Sequence, residues 1–272
     1  MTNDAIRDML LTARMQARLS SAVYYGDTAV RALAESAKAR YRFYTAASVT
    51  AAALIFEDHC HLSVCGTNDR YDWAINSNRE IKPVGICTGH AGFVDAASWI
   101  SREVVGNGFG GLARSRRLYV GGHSAGGAIA EILPLISYEL QPVATYSFGA
   151  PKWCSTKTSA KYWSQPWRSH RFVMPRDPVP YVPLSLWRSL IGKPTFSHAA
   201  LAIELQKDGQ FAFQDEFTLA KKALAIGSTV YAGGIATLAS VVRRAVPMLE
   251  SHSSTRYLAA IESAATKWSE SK

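Results

Sequence analysis

Leu118-Tyr-Val-Gly-Gly-His-Ser-Ala-Gly-Gly-Ala-Ile-Ala-Glu-Ile-Leu133 is the stretch that decides how the rest of the chain is read. It begins as a short buried strand, Leu118-Tyr-Val-Gly, and leaves as an alanine-rich helix running from Ala125 towards Leu140, interrupted or bent by Pro134. Between the two lies Gly122-His-Ser-Ala-Gly126, a G-x-S-x-G pattern. The pentapeptide alone is a weak signal, but its strand–turn–helix setting is the one the chemistry requires. Such a turn lifts the Ser124 hydroxyl above the sheet, and glycines at 122 and 126 let strand and helix approach each other. The helix N-terminus beneath the serine favours developing negative charge.

Outward from this turn the chain alternates strands and helices. Val49–Phe56 and His59–Cys65 read as a hairpin around a Glu57-Asp58 turn, 92–105 as a helix, and Val143–Phe148 and Arg171–Met174 as strands. Ala199–Leu205 and Phe211–Phe213 follow, and residues 1–45 and 216–272 read as helical. The expectation is an α/β fold in a single domain, a mainly parallel central sheet flanked by helices. Its core spans roughly residues 45–205, with helical extensions at 1–44 and 216–272.

A serine hydroxyl needs a base to take its proton and a third group to orient that base. In this strand order the acid and the histidine should follow in the order Ser, Asp, His. Asp177 sits in Arg176-Asp-Pro-Val-Pro-Tyr-Val-Pro183, directly after the strand Arg171–Met174, in a loop stiffened by prolines. His198, in Thr195-Phe-Ser-His-Ala199, is the first histidine downstream of it. The oxyanion of an acyl-transfer intermediate needs two N–H donors. One falls to Ala125, after the nucleophile, and the other to Thr67 in the loop Cys65-Gly-Thr-Asn-Asp69.

The 272 residues, 48% of them apolar, exclude a disordered chain and supply a large core. Cys60, Cys65, Cys87 and Cys154 are too few and too unevenly spaced for a disulfide framework or a zinc ribbon. A net charge of +9 favours anionic partners such as an acidic lipid surface. The start of the chain does not read as a secretory signal, so a cytoplasmic location is the default expectation, with membrane association or export without a cleaved signal as alternatives. Residues 223–242 carry no charge and are bracketed by Lys221-Lys222 and Arg243-Arg244. Their three glycines and four serines and threonines favour a buried or interfacial helix pair over a membrane span, leaving peripheral membrane contact as an expectation.

Taken together, these segments resemble the class 3 (fungal-type) lipases of the α/β-hydrolase superfamily. The resemblance rests on Gly66-Thr67 with Asp72-Trp73 and Asn76, His90-Ala-Gly-Phe93, the turn Gly122–Gly126, Phe148-Gly-Ala-Pro151, Asp177-Pro-Val-Pro180 and His198, in that order. It implies Ser124 as nucleophile, His198 as base, Asp177 as orienter, and Thr67 and Ala125 as oxyanion donors. It also implies a lid-like segment near Asn68–Asn78, where Tyr71, Trp73 and Ile75 face acyl chains, with His123 beside them on the substrate side. Two features depart from the family: Cys65 stands where an arginine is usual, and Asp177 and His198 are only 21 residues apart, which implies an abbreviated loop over the site. His252, in Ser251-His-Ser-Ser-Thr-Arg-Tyr257, is a second candidate base, read as a helix-start or surface residue.

Other signals are set aside. Gly106-Asn-Gly-Phe-Gly-Gly111 precedes a strand instead of opening a helix after one, so no dinucleotide site is expected. His59 and His61 alternate along a strand, so no metal or other cofactor is expected, and the arginines are too scattered for a nucleic-acid stripe. The expected activity is hydrolysis of carboxylic esters of lipids through an acyl-enzyme. A phospholipase A1 or acyltransferase acting on anionic membranes is the alternative within catalysis, and a non-catalytic membrane-associated binding protein the alternative outside it.

Overall fold

The computed structural model describes residues 1–65, 81–181, 195–206, 208–214 and 251–270. The chain opens with helix α1 (Asn3–Tyr24), whose first turn is capped by the Thr2 hydroxyl accepting from the Ala5 amide. Met9, Leu10, Ala13, Ala17 and Val23 recur at helical spacing and are buried, which fixes the face turned to the sheet. Helix α2 (Asp27–Ser36) follows, then strand β1 (Arg40–Ala46). The helical reading of residues 1–45 therefore fails at its end. Arg40-Tyr-Arg-Phe43 alternates charged and aromatic residues with a period of two, and the strand pairs antiparallel with β2 (Val49–Ile55) as an edge strand.

The expected hairpin is present: β2 pairs antiparallel with β3 (His59–Cys65), and the Phe56 amide donates to the His59 carbonyl across the turn. Two short strands, β4 (Ile81–Val84) and β5 (Cys87–His90), precede helix α3 (Ala91–Gly106) and the short helix α4 (Phe109–Arg114). Next come β6 (Arg117–His123), helix α5 (Ala125–Ile136), β7 (Ala144–Phe148) and β8 (Cys154–Ser155). Helix α5 keeps Pro134 inside its last turn, where Gln141 Nε2 donates to the Pro134 and Ser137 carbonyls (both 2.9 Å) and closes the helix end. The short helix α6 (Ser159–Tyr162), β9 (Arg168–Val173), β10 (Phe196–Ser197), β11 (Ala202–Leu205), β12 (Phe211–Gln214) and helix α7 (Ser254–Glu270) complete the described chain.

Eight strands form the central sheet in the order β1-β2-β3-β6-β7-β9-β11-β12. The pairs from β3 to β11 are parallel, and both edges are antiparallel hairpins. Strands β10, β8, β5 and β4 make a second, four-stranded sheet that the sequence reading does not contain. These strands are two to four residues long, too short for an alternation to show.

Helices cover both faces of the central sheet. On one face Ile100 and Val104 of α3, Phe109 of α4, and Ile129, Ile132 and Leu133 of α5 are fully buried against β2, β3 and β6. On the other, α1 and α7 pack against Tyr146, Phe148, Phe172 and Ile203. Each large apolar side chain buried in this way contributes about 1.5–3 kcal/mol of transfer free energy. The parallel register sets Cys65 beside His123, His123 beside Phe148 and Phe148 beside Phe172. The carboxyl ends of β3, β6, β7 and β9 thus form one rim, where open α/β sheets place their sites.

Candidate active site

Ser124 stands at this rim between β6 and α5, with φ 57° and ψ −131°. An L-residue is held there only at a cost of about 1–3 kcal/mol, so the surroundings must enforce it. They do so through close backbone approach. A Cβ on Gly126 would lie 2.0 Å from the Val64 carbonyl oxygen, and one on Gly122 would lie 2.4 Å from the Gly126 backbone. The Ser124 amide donates to the Phe148 carbonyl and its carbonyl accepts from the Gly127 amide, both at 2.9 Å. Its side chain makes no capping hydrogen bond to α5. Ala125 begins the helix, so its N–H is one of the amides without an intrahelical partner and can serve an oxyanion.

Asp177 is fully buried in the turn after β9 and is surrounded by donors. Its Oδ1 accepts from the Val179 amide (2.9 Å). Its Oδ2 accepts from the Tyr257 hydroxyl (2.7 Å) and from His252 Nδ1 (2.7 Å). Burial, then the negative charge of Asp177, pushes the Tyr257 phenol well above its ordinary range, so it stays a neutral donor. With Nδ1–H donated to the carboxylate, Nε2 is the ring nitrogen left for a further partner. That nitrogen is buried and makes no hydrogen bond to any described residue. The assignment of a base to His198 is therefore corrected: the imidazole on Asp177 is His252.

His198 has other business. It is buried, and its Nε2–H donates to the Pro180 carbonyl of the segment that follows Asp177 (2.5 Å). Burial, then the positive charge of Arg171, holds its imidazole well below the usual range, so it is a neutral core residue. It makes no hydrogen bond to Asp177. His252 is not on the surface either, being 4% exposed just ahead of α7.

His123 is buried rather than presented to substrate. Its Nε2–H donates to the main-chain carbonyl of His252 (2.6 Å), and its Nδ1 accepts from the Tyr24 hydroxyl (3.0 Å). Its ring lies 4.7 Å from that of His252 and 5.6 Å from that of Tyr257. Gly149, with φ +63°, leaves room for the acid: a Cβ there would meet Asp177 Oδ2 at 2.7 Å. Below the elbow, the buried carboxylate of Glu131 on α5 accepts from Ser147 (2.7 Å) and Trp153 Nε1 (2.6 Å), tying the helix to β7 and to the chain after it. Burial raises the carboxyl above its usual range, opposed by these two donors. Gly149 falls within the Phe148-Gly-Ala-Pro151 segment, but none of Tyr24, Glu131 or Tyr257 is marked by a local pattern in the sequence. Each acts through a partner more than fifteen residues away.

Thr67, Tyr71, Trp73 and Ile75, and the uncharged stretch 223–242, lie outside the described residues. Among the described residues no helix is long and apolar enough to cross a membrane.

Comparison with known proteins agrees with this architecture. The family model described as lipase (class 3) matches residues 61–187. No curated protein sequence matches the chain. Among solved structures, a Rhizomucor miehei lipase–propeptide complex (a deletion mutant) superposes with a TM-score of 0.61 at 18% identity, covering 76% of this chain and 70% of that one. A lipase from Rhizopus microsporus var. chinensis gives 0.57 at 18% identity, covering 76% and 77%. A triacylglycerol lipase whose catalytic centre is described as a serine protease triad gives 0.56 at 18%, covering 78% and 84%. At these identities the likeness to each is one of fold. That fold is the α/β-hydrolase fold.

Proposed function

We propose that this chain, a member of the class 3 lipase family matched over residues 61–187, is a serine hydrolase that cleaves carboxylic esters of lipids by way of an acyl-enzyme. One observation carries the reading: beside a strained serine at a strand–helix turn, a buried carboxylate holds Nδ1–H of an imidazole at 2.7 Å and leaves Nε2 as a base.

Ser124 Oγ attacks the acyl carbonyl while His252 Nε2 takes the hydroxyl proton. Asp177 stabilises the imidazolium without accepting the proton. The Ala125 N–H stabilises the oxyanion, with Thr67 as the second donor in the proposal. Collapse of the intermediate breaks the ester C–O bond, and His252 returns the proton to the departing alcohol. Water, deprotonated by the same nitrogen, then attacks the acyl-enzyme and releases the carboxylic acid. The net charge of +9 supports a second reading within the same chemistry, a phospholipase A1 drawn to anionic membranes.

A fluorophosphonate probe tests the proposal. The chain should be labelled, and Ser124→Ala and His252→Ala should each abolish labelling, whereas His198→Gln should keep it. No specific label on the intact chain would overturn catalysis in favour of a binding protein on a hydrolase scaffold. Hydrolysis across chromophoric esters of increasing chain length, and on anionic phospholipid vesicles, then decides the substrate. Acetate esters cleaved as fast as longer ones would exclude a lipase.

A further inference from the structure

The base sits in a short loop, residues 251–253, that is held at two points. Its side chain is held by Asp177, and its main-chain carbonyl is held by His123, the residue preceding the nucleophile. The second hold depends on a tautomer. A carbonyl accepts only from N–H, so His123 must carry its proton on Nε2 and leave Nδ1 as an acceptor. The Tyr24 hydroxyl lies 3.0 Å from Nδ1 and 3.4 Å from the His123 carbonyl oxygen, and its shorter contact, donated to Nδ1, favours this state. In the opposite tautomer Nδ1 would carry the hydrogen and Nε2 would turn a lone pair towards a carbonyl oxygen 2.6 Å away, which is repulsive. The ring of Tyr24 also meets that of His123 edge-on, with centroids 5.6 Å apart, so the two cannot easily slide past each other.

From this geometry we infer that Tyr24, at the end of the N-terminal helix, is a positioning residue for the base: by fixing the tautomer of His123 it anchors the backbone of His252. This deepens the hydrolase reading and rests on it. It extends the working site to α1, which lies wholly outside the residues matched by the family model. Tyr24 touches no reacting atom. It acts through His123 on the carbonyl of the loop that carries the imidazole, and a base displaced by a fraction of an ångström transfers a proton less often.

The test is a double-mutant cycle read in kcat and KM on a soluble ester, with melting temperatures alongside. Tyr24→Phe keeps the ring and removes the hydroxyl. It should lower kcat about tenfold with KM and melting temperature little changed. Glutamine at position 123 places an amide N–H near the Nε2 position and has no tautomer to select. In the His123→Gln background, whatever its own rate, Tyr24→Phe should therefore change kcat less than twofold. An equal loss in both backgrounds would show that the hydroxyl is only structural and overturn the inference, as would a loss confined to KM or one that follows a fall in melting temperature. Ser124→Ala and His252→Ala serve as references. If either retains turnover, it is the hydrolase reading that has failed, whatever the cycle shows.

Discussion

Asparagine at position 177 is the sharpest probe of the site, because it removes a charge while keeping the shape. The carboxylate receives three donors: the Val179 amide on Oδ1, and the Tyr257 hydroxyl and His252 Nδ1–H on Oδ2. An amide cannot accept all three. If its oxygen faces Val179, its NH2 meets the two donors from Tyr257 and His252. Tyr257 can rotate its hydrogen away, but His252 must move its proton to Nε2, and the base is lost. If the amide is flipped, its NH2 faces the Val179 N–H in a fully buried site. Either arrangement strands a buried donor at about 1–3 kcal/mol. For a chain of this size that corresponds to about 2–4 °C of melting temperature per kcal/mol. The rate falls further, because the wrong tautomer and an unsupported imidazolium together cost about 10⁴-fold in kcat in serine triads. Asp177→Asn should thus cut kcat on a short chromophoric ester about 10³–10⁴-fold while the protein stays folded, and should slow fluorophosphonate labelling alongside. His198→Gln, which keeps a donor for the Pro180 carbonyl, should stay within about threefold of the parent. A variant Asp177→Asn within tenfold of the parent, or His198→Gln as damaged as His252→Ala, would refute the assignment.

Three further outcomes follow from the geometry. Gly126→Ala forces a Cβ to within 2.0 Å of the Val64 carbonyl oxygen, so it should unfold the elbow and yield little soluble protein, as judged by expression and circular dichroism. Gly149→Ala combines a left-handed backbone with a Cβ 2.7 Å from Asp177 Oδ2; it should lower kcat at least tenfold by displacing the acid, with about 1 kcal/mol of strain read by urea unfolding. Acid should destabilise the fold through buried neutral histidines. Burial, then the charge of His59, pushes His61 down to about 3, and His198 lies well below its usual range. Below pH about 6.5 the unfolded chain takes up protons that these two refuse, so stability is full above that value and is lost as pH falls towards 4. The slope approaches about 1.4 kcal/mol per pH unit for each histidine. Urea midpoints measured from pH 7 to 4.5 should show it, and a His61→Gln variant should flatten it.

What could be read in advance follows from the range of the interactions. The elbow is local: two glycines, a serine, a strand before and a helix after lie within sixteen consecutive residues, and the backbone contacts explain each glycine. The parallel sheet is legible because its buried strands stand out as short apolar runs. Strand β1 is less so, because its alternation covers only Arg40–Phe43 before Tyr44 breaks it, and it follows directly on two helices. Asp177 is legible from its place in the proline-stiffened loop after β9. The contact of His252 with Asp177 is not legible, because the two are 75 residues apart and nothing around His252 but a helix start marks it. The spacing of 21 residues between Asp177 and His198 implies a shortened loop, yet His198 makes no hydrogen bond to Asp177. It satisfies the Pro180 carbonyl instead, a role that composition cannot tell from catalysis.

Helices α1 and α7 lie side by side on one face of the sheet, joined by the pair Arg18–Glu262 at 2.7 Å, and the base loop immediately precedes α7. During synthesis, then, the elbow and Asp177 leave the ribosome long before the imidazole that Asp177 holds. On the proposed mechanism, a nascent chain stopped short of position 252 would carry an inert alcohol, and a truncated or misdocked copy would be silent.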